Sequence, residues 1–211
     1  MNTSIVGNGI DVVVRANDGA MVRNWMSYNS EWLGAFEAKI WWCSHEASGL
    51  TVRTFNDGVS EEGRQFGDTG PEISSRPLLF VAPDWMLRPD WLTHIARAHT
   101  LRPFWSATGR LVVQAADGRA GLGDTTPTQI GHHVRSWSFA PSMHGICADE
   151  LPTDVLWVSP EAKSMFLAAI RFETDYDEAA SRFFNSAAQH AAHGTHVYLP
   201  DAVAVRVSAN R

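Results

Sequence analysis

Leu78-Leu79-Phe80-Val81 runs through Ala82-Pro83 into Asp84-Trp85, and Arg88-Pro89-Asp90-Trp91-Leu92 opens an amphipathic segment soon after. A short continuous apolar run bounded by proline reads as a strand buried on both faces. In open α/β sheets the groups that handle ligands sit just past the carboxyl ends of such strands. Asp84 occupies that place, and Trp85 beside it offers a flat amphipathic ring of the kind that stacks on a sugar or a base. The structural alternative is an Asp84 that merely caps the following turn. A second acidic group, Asp175, Asp177 and Glu178, stands at the head of an Ala-rich helix, where acids also have an ordinary place in the helix dipole. His132 and His133 are side by side in an alternating stretch, so they point to opposite faces of a strand and do not share a metal. His144 reads as a surface histidine. There is no Gly-x-Ser-x-Gly elbow, P-loop or dinucleotide fingerprint.

The surrounding elements must present these residues. Ile10 to Val14 is a β-branched strand ended by the turn Arg15-Ala16-Asn17-Asp18-Gly19. Residues 20–36 carry Met21, Trp25, Trp32 and Leu33 near helical spacing, with Asn24, Ser27, Asn29 and Ser30 diluting it enough to break the helix. Lys39 to Cys43 and Leu50 to Phe55 read as strands, separated by a polar turn over 44–49. Residues 59–76 read as a weak helix plus loop, and 90–100 as a helix. Further strands are expected at 110–114, 132–139 and 154–158, around a long loop at 116–131. Ser159 and Pro160 start a helix as N-cap and first residue. A long helix spans 177–193 before Gly194, and two strand pieces, 197–200 and 203–207, close the chain. Strand–turn–helix units in that order predict a mostly parallel central sheet flanked by helices. We read one domain over residues 1–211, with a ligand half at about 1–100 and a second half at about 101–211.

Composition narrows the partners. The net charge of −6 argues against nucleic acid or an anionic membrane as the main partner. No apolar run approaches the ~20 residues of a bilayer span, and no basic-apolar leader opens the chain. Cys43 and Cys147 are too few for a disulfide framework or a zinc site, so a reducing cytoplasm is the expected setting. Of 17 cationic residues only Lys39 and Lys163 are lysines, and arginine suits bidentate phosphate contacts. Nine tryptophans mostly suit a core; Trp85, next to the site acid, is the one expected to face a ligand.

Together these strings resemble the inverting nucleotide-sugar glycosyltransferases of family 2, which have the GT-A (Rossmann-like) fold. Residues 78–92 are similar to that family's apolar-Asp-x-Asp motif with its following Pro-Asp-apolar-Leu step. Val12 to Asp18 looks like its first strand and turn, and Asn56-Asp57-Gly58-Val59-Ser60 like its Asn-x-Gly-x-Ser step. Phe172-Glu173, the Ala-rich helix and Gly194 to Ala202 look like its C-terminal tail. The likeness covers about residues 10–100 and 154–205.

The resemblance implies transfer of a sugar from a nucleoside-diphosphate donor to a hydroxyl of a saccharide, lipid-linked or secondary-metabolite acceptor. Ala16, Asn17, Asp18, Asn56, Trp85 and His45 or Glu46 would hold the nucleotide sugar. Asp177 and Glu178, with Asp175 beside them, would supply the base. Asp84 would be the metal contact, for manganese or magnesium. The first acid of the motif is Ala82 here, and Arg206 stands where a histidine ligand is often found. Two routes therefore stay open: a metal held weakly by Asp84, or neutralisation of the diphosphate by Arg206 and other arginines. The alternative function is a sugar- or nucleotide-binding protein of the same fold that has lost catalysis.

Overall fold

The computed structural model describes residues 9–46, 49–56, 59–60, 64–65, 74–113, 135–171, 175–190 and 196–207. β1 (Asp11–Arg15) leads into α1 (Gly19–Leu33), and β2 (Lys39–Glu46) returns beside β1. β3 (Gly49–Asn56) folds back on β2 and carries two short pieces, β4 (Val59–Ser60) and β5 (Arg64–Gln65). Next come β6 (Leu78–Val81), β7 (Trp85–Leu87), α2 (Trp91–Leu101) and β8 (Ser106–Val113). The hairpin β9 (Arg135–Ala140) and β10 (Met143–Ala148) precedes β11 (Val155–Val158), α3 (Pro160–Arg171), α4 (Tyr176–His190) and β12 (His196–Arg206).

The described strands join in one sheet, ordered β4-β3-β2-β1-β6-β11-β8-β12-β10-β9, with β5 on β3 and β7 on β12. The chain is thus α/β, but the expected mostly parallel sheet is instead mixed. Among the described strands only β1–β2, β1–β6 and β8–β12 pair in parallel. A parallel neighbour needs a crossover of about a dozen residues or more; α1 supplies one, whereas β2–β3 and β9–β10 turn back directly. β11 lies between β6 and β8 and runs against both.

Several local expectations are corrected. α1 is unbroken, with Asp18 as its N-cap accepting from Met21 N at 2.9 Å. β2 continues through Ser44, His45 and Glu46, because pairing with β3 extends it past the polar residues. Within 59–76, the described residues 59–60 and 64–65 are strand, pairing with β3, not helix. β10 was not expected at all, and the two C-terminal pieces are one kinked strand. Residues 57–58, 116–133, 172–174 and 191–195, which carry other motif positions, lie outside the described residues.

Alternation along the central strands fills two cores. Val12, Val14, Leu79, Val81, Val155 and Trp157 face α1 and α2, where Val22, Trp25, Trp32, Trp91 and Ile95 are buried. Val13, Leu78, Phe80, Leu156 and Val158 face α3 and α4, against Phe166, Leu167, Ile170, Phe183 and Phe184. The residues between Leu78 and Val81 are buried on both faces, as the apolar run predicts.

Lys163 pins the amino edge of this sheet. Its Nζ lies 3.2 Å from Asp11 Oδ2, with the two side chains 1 % and 0 % exposed. It also donates to the carbonyls of Ser74 and, at 2.8 Å, Arg76, just before β6. An ammonium has three protons, and here each finds an oxygen. Burial lowers the Lys163 pKa, and Asp11 acts to raise it.

β12 changes partners along its length. Its first half pairs with β10 and its second with β7, while β8 runs along the other side. Leu199 faces Gly109 and Val203 faces Arg110, so Pro200, Asp201 and Ala202 form a bulge. Glycine is required opposite it: a Cβ on Gly109 would lie 1.8 Å from the Ala202 carbonyl oxygen. At the start of the strand, His196 Nδ1 and Ser106 Oγ are 2.7 Å apart in a buried contact closed by Phe183 and Phe184. Burial lowers the His196 pKa to about 4, against a smaller raising contribution from the Phe184 backbone.

Two stability outcomes follow from these contacts. Lys163→Met strands a buried carboxylate and should cost about 3–5 kcal/mol in urea denaturation; adding Asp11→Asn should recover part of the loss. His196 is held neutral in the fold, so below pH about 6.5 the unfolded chain takes up a proton that the fold refuses. Its contribution should decline by about 2 kcal/mol between pH 7 and pH 5. His196→Gln should flatten the dependence of the urea midpoint on pH across that window, and equal slopes for both proteins would discard the assignment.

Candidate functional site

From β1 the chain crosses through α1 to β2 on one side, and later returns to β6 on the other. Strand order therefore reverses at the β1–β6 seam. Open α/β sheets bind ligands in the crevice outside the carboxyl ends at such a point. The register pairs Val14 with Val81, so Arg15-Ala16-Asn17-Asp18 and Ala82-Pro83-Asp84 emerge next to each other. β11 starts beside them: Ala82 N donates to the Asp154 carbonyl at 2.8 Å, and Arg15 Nη2 meets Asp154 Oδ1 at 3.2 Å.

Asp84 is on this edge, with one oxygen of its carboxylate engaged. Arg206 Nε lies 2.5 Å from Asp84 Oδ2, with the side chains 53 % and 32 % exposed. The backbones are tied as well, by Val207 N donating to the Asp84 carbonyl at 2.7 Å and by pairing of Trp85 with Arg206. A divalent ion at Asp84 would have to share the carboxylate with the guanidinium, and Ala82 offers no second carboxylate.

Asn29 of α1 holds this corner in place. It occupies the helix face shared by Val22, Trp25 and Trp32 and is wholly buried. Its Nδ2 donates to the Trp25 carbonyl at 2.9 Å and the Trp85 carbonyl at 3.2 Å. Its Oδ1 accepts from Leu87 N at 2.9 Å and Trp32 Nε1 at 3.0 Å. The amide thus gives β7 the donor and acceptor that another strand would offer, and β7 carries Asp84 at its head.

The other face of the same edge holds the acidic helix start. Arg15, its side chain 16 % exposed, lies over Phe80 at 5.5 Å and over Tyr176 at 5.1 Å from the ring centroids. The Tyr176 hydroxyl is 3.6 Å from Cys43 Sγ. Burial pushes the Cys43 thiol up to about 12, with Tyr176 and Arg15 pulling it back. Burial likewise raises Tyr176, with Cys43 adding to it and Arg15 opposing. Both groups stay protonated near neutral pH, so neither is a nucleophile there. Thr153 Oγ1 donates to Asp177 Oδ1 at 2.9 Å, and Asp175 Oδ1 accepts from Asp177 N at 2.8 Å. Glu178 pairs with Arg182 one turn along, at 3.6 Å.

The structure thus brings Asp84, Arg206, Ala16, Asn17, Asp18, Asp175 and Asp177 to one edge of the sheet. They do not share a face: Asp84 leads into Trp85 in the α1/α2 core, and Tyr176 packs in the α3/α4 core. Trp85 is corrected. It is 4 % exposed and packed in the core, because β7 turns its ring inward, so it cannot stack on a ligand. Asp18 is spent on capping α1, and Ala16 is buried with its N–H on the Cys43 carbonyl at 3.0 Å. Asn17 is exposed. The side chains of His45, Glu46 and Asn56 lie outside the described residues. Sequence reading missed Arg15, Asp154, Thr153 and Asn29; Arg15, the first charge after a β-branched strand, was the one with a visible signal.

A shallow depression open to solvent lies over the β12 bulge, lined by His94, Met143, His144, Leu199 and Asp201, and it encloses no room for a small molecule. No helix among the described residues is long and apolar enough to cross a membrane. No protein-family model and no curated protein matches this chain.

Asn29→Ala would leave the Trp85 carbonyl, Leu87 N and Trp32 Nε1 buried without partners. At about 1–3 kcal/mol per orphaned group, the urea-unfolding free energy should fall by about 3 kcal/mol or more. Asn29→Leu should do no better, since volume without hydrogen bonds leaves the same groups unmet.

Proposed function

We propose that this chain is a GT-A-like glycosyltransferase that binds a nucleoside-diphosphate sugar at the carboxyl edge of β1 and β6. What carries this reading is convergence. The turn after β1, the acid after β6 and the acidic start of α4 are far apart in sequence yet come to one edge of the sheet, the two acidic segments from its opposite faces. The resemblance assigns those same three segments to base, diphosphate and acceptor activation. In the reaction an acceptor hydroxyl oxygen bonds to the anomeric carbon from the side opposite the leaving group. The bond from that carbon to the diphosphate oxygen breaks, and the electron pair leaves with the nucleoside diphosphate. The hydroxyl proton passes to a carboxylate, for which Asp177 is the leading residue, oriented by Thr153; Glu178 and Asp175 are its neighbours. The acceptor would be a saccharide, a lipid-linked carrier or a secondary metabolite, and two free cysteines suit a cytoplasmic setting.

Two observations favour a second reading, a nucleotide- or sugar-binding protein without turnover. Asp175 is used as a helix cap, and the acidic group and Asp84 lie toward opposite faces of the sheet.

Incubation with UDP- and GDP-sugars, followed by chromatography of the nucleotide products, separates the two. A transferase should release nucleoside diphosphate slowly to water, and Asp177→Asn should cut that rate by about 100-fold or more at unchanged nucleotide affinity. A bound donor at 100 times its Kd should add about 2.7 kcal/mol of stability, seen as a rise in melting temperature. Stabilisation with no release would establish the binding protein, and neither effect would remove both readings.

A further inference from the structure

We infer that Arg206, held by Asp84, is the cation that meets the donor's diphosphate, in the role a divalent metal would otherwise take. This rests on the nucleotide-sugar reading above and deepens it. The donor set at Asp84 does not suit a metal: it is a single carboxylate, already neutralised at 2.5 Å by a guanidinium, and Ala82 replaces the acid two residues before it. A divalent ion placed on Asp84 would also face the positive charge of Arg206 at short range, which opposes its binding.

The geometry presents the guanidinium well. Asp84 engages Nε, and the two terminal nitrogens have no partner among the described residues. A guanidinium gripped at Nε keeps its outer fork for two parallel hydrogen bonds to phosphate oxygens. Its backbone is fixed by pairing with Trp85 on one side and Val113 on the other. Arg15 is unsuited to the task, since it is committed to Asp154 and covered by Phe80 and Tyr176. Arg206, about half exposed, meets solvent at the carboxyl edge where a diphosphate would lie. Asp84 is thus a positioning residue for Arg206.

Titration calorimetry of the full chain with UDP and with GDP, in excess EDTA and in excess manganese, tests this. The affinity in EDTA should match that in manganese to within about threefold, under half the 1.4 kcal/mol that a tenfold change represents. Arg206→Ala should lose about tenfold or more in EDTA, and Arg206→Lys should fall between, keeping the charge without the fork. The melting temperature of Arg206→Ala should stay within about 2 °C of the parent, because an exposed pair adds little stability. Binding seen only with manganese overturns the inference and leaves the nucleotide-sugar reading standing, and so does wild-type affinity in Arg206→Ala. Failure of both nucleotides to bind in either condition overturns the two together.

Discussion

An ammonium with nowhere else to go organises this sheet. Lys163 reaches from α3 to the first residue of β1 and to two carbonyls just ahead of β6. β1 and β6 are parallel and far apart in sequence, so no short turn sets their register. The buried charge does it at the amino end, where Asp11 sits opposite Leu78. Removing one partner of such a pair leaves the other uncompensated, and that penalty makes the arrangement specific. The register it imposes fixes what emerges at the opposite end: Arg15 from one strand and Ala82 from its neighbour.

At that far end, charge is arranged in opposite-sign pairs. Arg15 with Asp154 and Arg206 with Asp84 neutralise each other locally, so this edge is polar without being strongly basic, in keeping with a chain of net charge −6. The two pairs differ in freedom. Arg15 is walled in by aromatic rings, whereas Arg206 stands half in solvent. A guanidinium enclosed by rings and one held at Nε with its outer nitrogens toward solvent are different tools, and the sheet edge has both. Asn29 determines where the second one stands, because its amide secures the backbone of β7 on the side away from β12.

Much of the central fold was legible because periodicity reports burial. The run Leu78–Val81 is buried on both faces, and the Ser159-Pro160 signal begins α3, with Ala162 N on Ser159 Oγ at 3.3 Å. Legibility failed where tertiary partners overrule local signals. Asn29 looked like a helix-diluting residue and is a buried amide with four hydrogen bonds. Ser44, His45 and Glu46 looked like a turn, yet cross-strand pairing with β3 keeps them extended. Trp85 looked ligand-facing because it follows Asp84, but which way a ring points depends on the strand it enters. The pairing of Asp84 with Arg206 joins residues 122 positions apart; the resemblance set both at the donor's diphosphate but not against each other.

The bulge in β12 sets the phase of everything after it. Val197 and Leu199 enter the α1/α2 core before it, Ala202 and Ala204 after it, so three unpartnered residues switch the inward set from odd to even numbers. Because side chains alternate with a period of two, loss or gain of one residue between Leu199 and Val203 would turn Arg206 to the opposite side of the ribbon. A change of one residue at this point would therefore have to be absorbed inside the bulge for the guanidinium to stay beside the acid after β6.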